Sequence, residues 1–335
     1  MATVGSNPTL SACPGRVPAF GQFFSPALLD DPPSLAVHRP SSTVHRPSME
    51  LRLALAQIAP RLGDLEANLD LHLRYIEQAR QGKANLIIFP ELSLTGYVLQ
   101  DLVSWVARRP TPEDAFFRPL FQASQDLDIA FGFVDEDEHH RFYIAAAYLS
   151  AGKILHIHHK VYLPTYGLFD EGRFFAPGGR VRAFHTRFGR FGMLICEDFW
   201  HVSPPYLLWL DGADLMLFMS ASPGRGVSAD NRFASSRWVE TVNQSYAGLF
   251  TCFVAHCNRV GYEDGLNFWG GSTVFDPNGD LLTRAPYHEE ALTMVTLDWG
   301  QLRRTRARLP LLRDERPYLV QRELARLLSK DEERK

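Results

Sequence analysis

FGMLICEDFW, residues 191–200, is a run of apolar β-forming residues that stops at one polar side chain, Cys196, with two acids, Glu197 and Asp198, directly behind it. The pattern predicts a buried strand that gives way to a turn and then a helix. Two other stretches share the design: NLIIFPEL (85–92) stops at Glu91, and KILHIHHK (153–160) stops at Lys160. In α/β folds the ends of neighbouring strands are where side chains from distant parts of a chain converge. A free cysteine is ordinarily an inert core residue, and a strand-end charge is ordinarily a cap or a surface ion pair. Three such stops in succession, each in polar company, fit those ordinary roles poorly.

Together the three side chains carry a recognisable chemistry. A thiol with a pKa near 8.5 is mostly protonated at neutral pH, so a nucleophilic cysteine needs a base or a nearby cation. Glu91 is the expected proton acceptor, and Lys160 is expected to favour the thiolate. A sharply bent backbone at Cys196 is expected to expose its sulfur. Attack on a carbonyl or nitrile carbon places negative charge on oxygen or nitrogen, which the Lys160 ammonium and the Glu197 backbone N–H can stabilise. The other cysteines fit this role less well: Cys252 falls inside an apolar stretch, Cys257 at a strand end, and Cys13 in the N-terminal head.

Outward from these motifs, alternation predicts a strand at 51–59, and further β-forming runs read as strands at 129–134, 215–221 and 249–258. Helices are expected at 68–80, 113–127, 204–210 and 231–247. Segments 142–150 and 153–159 read as a hairpin across Ala151–Gly152, and 270–285 as another turning at 276–279. Helices between strands, with several hairpins, predict a layered α/β domain with mixed sheets over residues 50–300. The Arg- and Leu-rich segment 301–335 is expected to pack as an arm on the body or on a partner. Residues 1–48 are rich in Pro and Ser, lack periodicity and repeat VHRPS, so they read as a disordered extension, with Met49 as an alternative start.

Composition excludes several classes. The 335 residues are 45% hydrophobic and 22% charged, with a net charge of −3, which leaves no electrostatic footprint for nucleic acid or an anionic membrane. No apolar run is long enough to span a bilayer. Four cysteines without C-x-x-C spacing point to neither a disulfide framework nor a metal site, and a cytoplasmic location is expected. His158 and His159 are consecutive on a strand and face opposite ways, so they cannot chelate one ion together. No metal and no cofactor is expected.

FPELSLTGY (89–97), HKVYLPTYGLFDEGRFFAPG (159–178) and ICEDFW (195–200) closely resemble the nitrilase, or carbon–nitrogen hydrolase, superfamily. The resemblance runs from about residue 51 to about residue 300. It implies an α-β-β-α sandwich, normally dimerised into a four-layer-forming assembly. It also implies Glu91 as general base, Lys160 as oxyanion and leaving-group stabiliser, Cys196 as nucleophile, and Glu171 as a second glutamate that positions the lysine. Within the superfamily, LPTYG-FDE, CEDFW, SASP (220–223) and FWGGSTVFDPNGDLL (268–282) look most like the glutaminase domain of glutamine-dependent NAD synthetase. Tyr166, Phe169 and Ser222 match positions lining the glutamine pocket of that branch, and Tyr97 is a further candidate for the pocket wall. GRGVSADNRF (224–233) replaces the usual Gly-Lys-containing loop, and Arg225 is the candidate to take over a substrate contact. No ATP-binding SGGxDS stretch occurs, so the resemblance implies a chain that does not make NAD alone.

The reading is therefore a cysteine-dependent hydrolase that cleaves the C–N bond of a small amide through a thioester, with release of ammonia. A glutaminase subunit feeding a separate ATP-dependent synthetase is the alternative, as is a nitrilase acting on a small nitrile. A non-catalytic scaffold is the remaining one, and an intact Glu–Lys–Cys set argues against it. A homodimer is expected from the resemblance.

Overall fold

The computed structural model describes residues 50–226 and 232–332. The N-terminal extension expected at 1–48 lies outside the described residues, as do 227–231 of the divergent loop.

The first half of the chain runs β1 (Glu50–Gln57), α1 (Leu65–Gln81), β2 (Leu86–Ile88), α2 (Val103–Val106), α3 (Arg118–Ala123), β3 (Asp128–Glu136), β4 (Phe142–Ser150) and β5 (Lys153–His159). Then follow α4 (Glu171–Phe174), β6 (Phe184–Thr186), β7 (Gly189–Ile195), α5 (Ser203–Leu210), β8 (Leu215–Ser220), α6 (Ala234–Phe250) and β9 (Phe253–Asn258). The chain closes with β10 (Val260–Glu263), β11 (Leu266–Trp269), β12 (Thr273–Phe275), β13 (Leu281–Arg284), β14 (Ala291–Asp298), α7 (Trp299–Arg308), α8 (Leu311–Asp314) and α9 (Pro317–Glu332).

Two six-stranded sheets result, ordered β14-β1-β2-β3-β4-β5 and β13-β12-β9-β8-β7-β6. Each has a parallel centre, β1-β2-β3 or β7-β8-β9, with antiparallel strands on both flanks. Both faces of the central strands are covered, which explains why they read as continuous apolar runs.

Strand periodicity sorts these runs into layers. Leu53 and Leu55 of β1 meet Met193 and Ile195 of β7 and Leu215 and Leu217 of β8 in the core between the sheets. Ala54 and Ala56 face the other way, onto Ile76 and Ala79 of α1 and Leu120 of α3. On the far side, Met216 and Phe218 of β8 pack on Val239, Ala247 and Phe250 of α6. Each fully buried large apolar side chain contributes about 1.5–3 kcal/mol. The order helix, sheet, sheet, helix is the expected α-β-β-α sandwich.

Several boundaries differ from the sequence reading. The helix expected over 113–127 is confined to Arg118–Ala123. Upstream, Pro110 and Pro112 restrict the chain, and Asp114 turns it by accepting the Phe116 N–H at 2.8 Å. Downstream, the Ser124 hydroxyl bonds back to the Phe121 carbonyl. The strand expected over 249–258 starts only at Phe253, because α6 persists to Phe250 and stops on Thr251 at φ +46°. Cys252 is therefore buried between a helix and a strand rather than inside a strand. The hairpin of β10 and β11 turns on Asp264–Gly265, both at positive φ, a two-residue signal that the pattern reading passed over. It also passed over β14, which pairs antiparallel with the whole of β1.

Helix α7 carries buried Leu302 and Thr305, and Arg306 reaches Asp214 at 2.7 Å. On α9, Tyr318, Leu324 and Leu328 are exposed. Among the described residues no helix is long and apolar enough to cross a membrane.

Candidate active site

Glu91 sits three residues beyond β2, where Leu92 adopts φ +49°. That turn presses on β3: a Cβ at Gly132 would stand 2.4 Å from the Leu92 nitrogen and 2.6 Å from the Pro90 oxygen. Only glycine leaves room for it. Lys160 directly follows β5, and its N–H is held by the Ile144 carbonyl of β4 at 2.8 Å. Cys196 follows β7 with φ +47° and opens a short 3-10 turn over Cys196–Trp200. A non-glycine residue in the left-handed region costs about 1–3 kcal/mol, so surrounding contacts have to hold it there.

Asp198 is one of those contacts, and the sequence reading missed its role. Its Oδ2 accepts from the Ile195 N–H at 3.1 Å and faces His158 Nε2 at 2.7 Å. Its Oδ1 accepts the N–H groups of Val161 and Tyr162 at 2.8 and 2.9 Å. One buried carboxylate thus ties the Cys196 turn to both sides of Lys160. Its place behind the cysteine was visible in CEDFW; its partners, some forty residues upstream, were not.

At the centre, Lys160 Nζ donates to Glu91 Oε1 at 2.7 Å and to Glu171 Oε1 at 2.8 Å, all three side chains being buried. Glu91 Oε2 accepts the Ala221 N–H at 2.8 Å. Tyr97, expected on the pocket wall, has its hydroxyl on Glu171 Oε1 at 2.6 Å. Its ring also borders a cavity of about 250 Å³ between the loops at 97–101 and 168–175.

Burial corrects one expectation about Cys196. The sulfur is not exposed: only 7% of the residue is accessible. Lys160 does pull the thiol toward the thiolate, as expected, but it is outweighed. Burial first, and the charge of Glu91 next, push the thiol well above its ordinary value, and the opposing pull of Lys160 is smaller. The lysine charge is already shared between two carboxylates. Burial also works against Lys160, but Glu171 and Glu91 override it and hold the ammonium well above the usual lysine range. Burial raises Glu171 to about 7 against the pull of Lys160. Burial and the Glu91 charge thus favour the neutral thiol over the thiolate.

A second group gathers beside the nucleophile. The Tyr166 hydroxyl donates to Glu197 at 3.0 Å, with the Phe169 ring edge-on to Tyr166 at 5.7 Å. The Arg225 guanidinium lies 5.0 Å from the Phe169 centroid and 5.8 Å from that of Tyr166. Ser222 is buried, its N–H donates to Asn258 Oδ1 at 2.9 Å, and its hydroxyl has no partner among the described residues. The contacts thus bring Glu91, Glu171 and Tyr97 together around Lys160, and Tyr166, Phe169 and Arg225 together beside Glu197. Cys257 stands apart: it is buried in β9 with its thiol on the Ile88 carbonyl at 3.2 Å, a core position. Among the described residues, no group of three or more His, Cys, Asp or Glu is placed to hold a metal ion.

Comparison with known proteins gives the family. Residues 52–307 match the carbon-nitrogen hydrolase family. Among curated proteins, the glutamine-dependent NAD(+) synthetase of Acinetobacter baylyi is 31% identical over 252 residues, covering 75% of this chain and 45% of that protein. The chain thus spans about half the length of the curated relatives it matches. Among solved structures, the glutamine-dependent NAD+ synthetase of Acinetobacter baumannii superposes with a TM-score of 0.67 at 31% identity, covering 76% of this chain and 46% of that one. An amidase from Nesterenkonia sp. gives a TM-score of 0.68 at 26% identity, covering 84% and 99%. The chain belongs to the carbon–nitrogen hydrolase family.

Proposed function

We propose that this protein hydrolyses the amide of a small, amino-acid-like substrate through a thioester on Cys196, releasing ammonia. The observation that carries the reading is the buried Glu91–Lys160–Glu171 chain set beside the Cys196 turn. Because the thiol rests protonated, Glu91 takes its proton as the sulfur attacks the amide carbon. The charge that develops on the amide oxygen is met by the Lys160 ammonium and the Glu197 N–H, each such donor contributing about 3–4 kcal/mol. Glu91 then protonates the leaving nitrogen, ammonia departs, and the same carboxylate activates water against the thioester. Glu171 and Tyr97 keep Lys160 in place through these steps.

The substrate class follows from the second cluster. Glu197 offers a negative charge and Arg225 a positive one, with Tyr166 and Phe169 between them. That pairing suits an ammonium and a carboxylate on one small molecule, as in an amino acid bearing a side-chain amide. A second reading is favoured by the relatives' names: a glutaminase subunit that passes ammonia to a separate synthetase. A homodimer, a cytoplasmic location and a C-terminal arm packed on the body or on a partner belong to the same proposal.

The test is ammonia release by purified protein from a panel of amino-acid amides, neutral amides, nitriles and N-carbamoyl compounds. Amino-acid amides are expected to lead, and Cys196→Ala is expected to abolish release. Turnover retained in that variant overturns the mechanism, and a preference for nitriles overturns the substrate class. The subunit reading adds that turnover rises when a synthetase co-purifying from the native source is restored.

A further inference from the structure

Arg259, just after β9, and Glu263, at the end of β10, form an ion pair at 2.8 Å with both side chains buried. Arg259 also donates to the Pro60 carbonyl at 3.3 Å and lies 4.2 Å over the Phe268 ring. A buried ion pair is weak evidence of stabilisation, since an apolar pair of similar size often serves as well. The second oxygen of Glu263 shows what else this pair does. Its Oε1 accepts the N–H groups of both Tyr97 and Val98, each at 2.7 Å. The turn before them leaves no slack: Gly96 is at φ +81°, and a Cβ there would stand 2.7 Å from Leu62 Cα and 2.8 Å from Glu263 Oε2.

The pair therefore sets where the Tyr97 backbone lies, and the Tyr97 hydroxyl bonds the same Glu171 oxygen that receives Lys160. We propose that Arg259 and Glu263 are positioning residues, which hold Tyr97 so that Glu171, and through it Lys160, stays aligned with Cys196. The proposal rests on the roles given above to Lys160 and Cys196. Neither residue of the pair touches the reacting atoms.

The experiment reads Cys196 without a substrate. Full-length wild type, Tyr97→Phe, Glu263→Gln and the double variant are treated with iodoacetamide across a pH series. Modification is followed by peptide mass spectrometry at Cys196 and at the core cysteines 252 and 257. Tyr97→Phe and Glu263→Gln are expected to change the Cys196 rate by about tenfold each, as the loss of one hydrogen bond to a charged group allows, and to move its pH profile in the same direction. The double variant is expected to stay within about threefold of the stronger single one, because both act through one contact. A Glu263→Gln profile that overlays wild type overturns the proposal, as does a double effect equal to the product of the singles. A merely structural role would raise labelling at Cys252 and Cys257 together with Cys196 and leave the pH profile where it was, and that outcome also overturns it. If Glu263→Gln is insoluble, Arg259→Lys takes its place in the same cycle. Absence of Cys196-dependent ammonia release in wild type would count against the hydrolase reading alone, since the labelling cycle does not depend on turnover.

Discussion

His158 Nε2 lies 2.7 Å from Asp198 Oδ2, with both side chains buried, so the strand that delivers Lys160 is fastened to the turn that carries Cys196. Two catalytic candidates separated by 36 residues thereby share one rigid mount. Asp198→Asn keeps the shape but puts an amide where a carboxylate met the Ile195 N–H and the imidazole. The loss is expected to be about 1.5–3 kcal/mol of stability. It should lower kcat for amide hydrolysis more than it raises KM. Thermal denaturation and steady-state kinetics on the same preparation check both.

The raised pKa of Glu171 predicts an acid limb. Burial moves this carboxyl from 4.5 to about 7, so it gains a proton as pH falls through about 7, and Lys160 then loses one of its two anionic partners. The rate is expected to fall on the acid side of that value, and Glu171→Gln is expected to remove the limb along with most of the activity. For stability the sign is opposite to that of an ordinary ion-paired carboxylate. A raised folded-state pKa contributes stability that is fully present below about 4.5 and is lost as pH rises through about 7. A pH–rate profile paired with denaturation at several pH values checks both signs.

Arg225 is the charged partner expected for a substrate carboxylate, seated on the faces of Tyr166 and Phe169. Arg225→Ala is expected to raise KM for an amino-acid amide by about 10- to 100-fold, the range for one hydrogen bond to a charged group. For a neutral amide of the same length KM should hardly change. Equal losses for both substrates would place Arg225 in loop packing instead.

Gly132 predicts a backbone effect on chemistry. A methyl group there would overlap the Pro90–Leu92 turn at 2.4–2.6 Å, so Gly132→Ala must push Glu91 away from Lys160 or distort β3. A cost of about 1–3 kcal/mol is expected from the overpacking. A large fall in kcat should accompany it, because the displaced group is the proposed base. Unfolding midpoint and turnover number are the measurements.

What the sequence determined by itself was local and periodic. The apolar β-forming runs ending at Glu91, Lys160 and Cys196 marked three strand ends, since such a run and its abrupt polar stop depend only on neighbouring residues. The hairpin at Ala151–Gly152 was legible for the same reason, and the three motifs in order carried the family. Tertiary structure decided the rest. The length of α6 and the shortness of α3 depend on side-chain and αL stops that compete with propensity. The pairing of β14 with β1 joins the two ends of the domain. The protonation of Cys196 depends on burial and on two carboxylates that arrive from elsewhere in the chain. Asp198, Arg259 and Glu263 stood in plain view as residues, yet their partners lie across loops and sheets. Charges act through space, and only the fold sets which of them are neighbours.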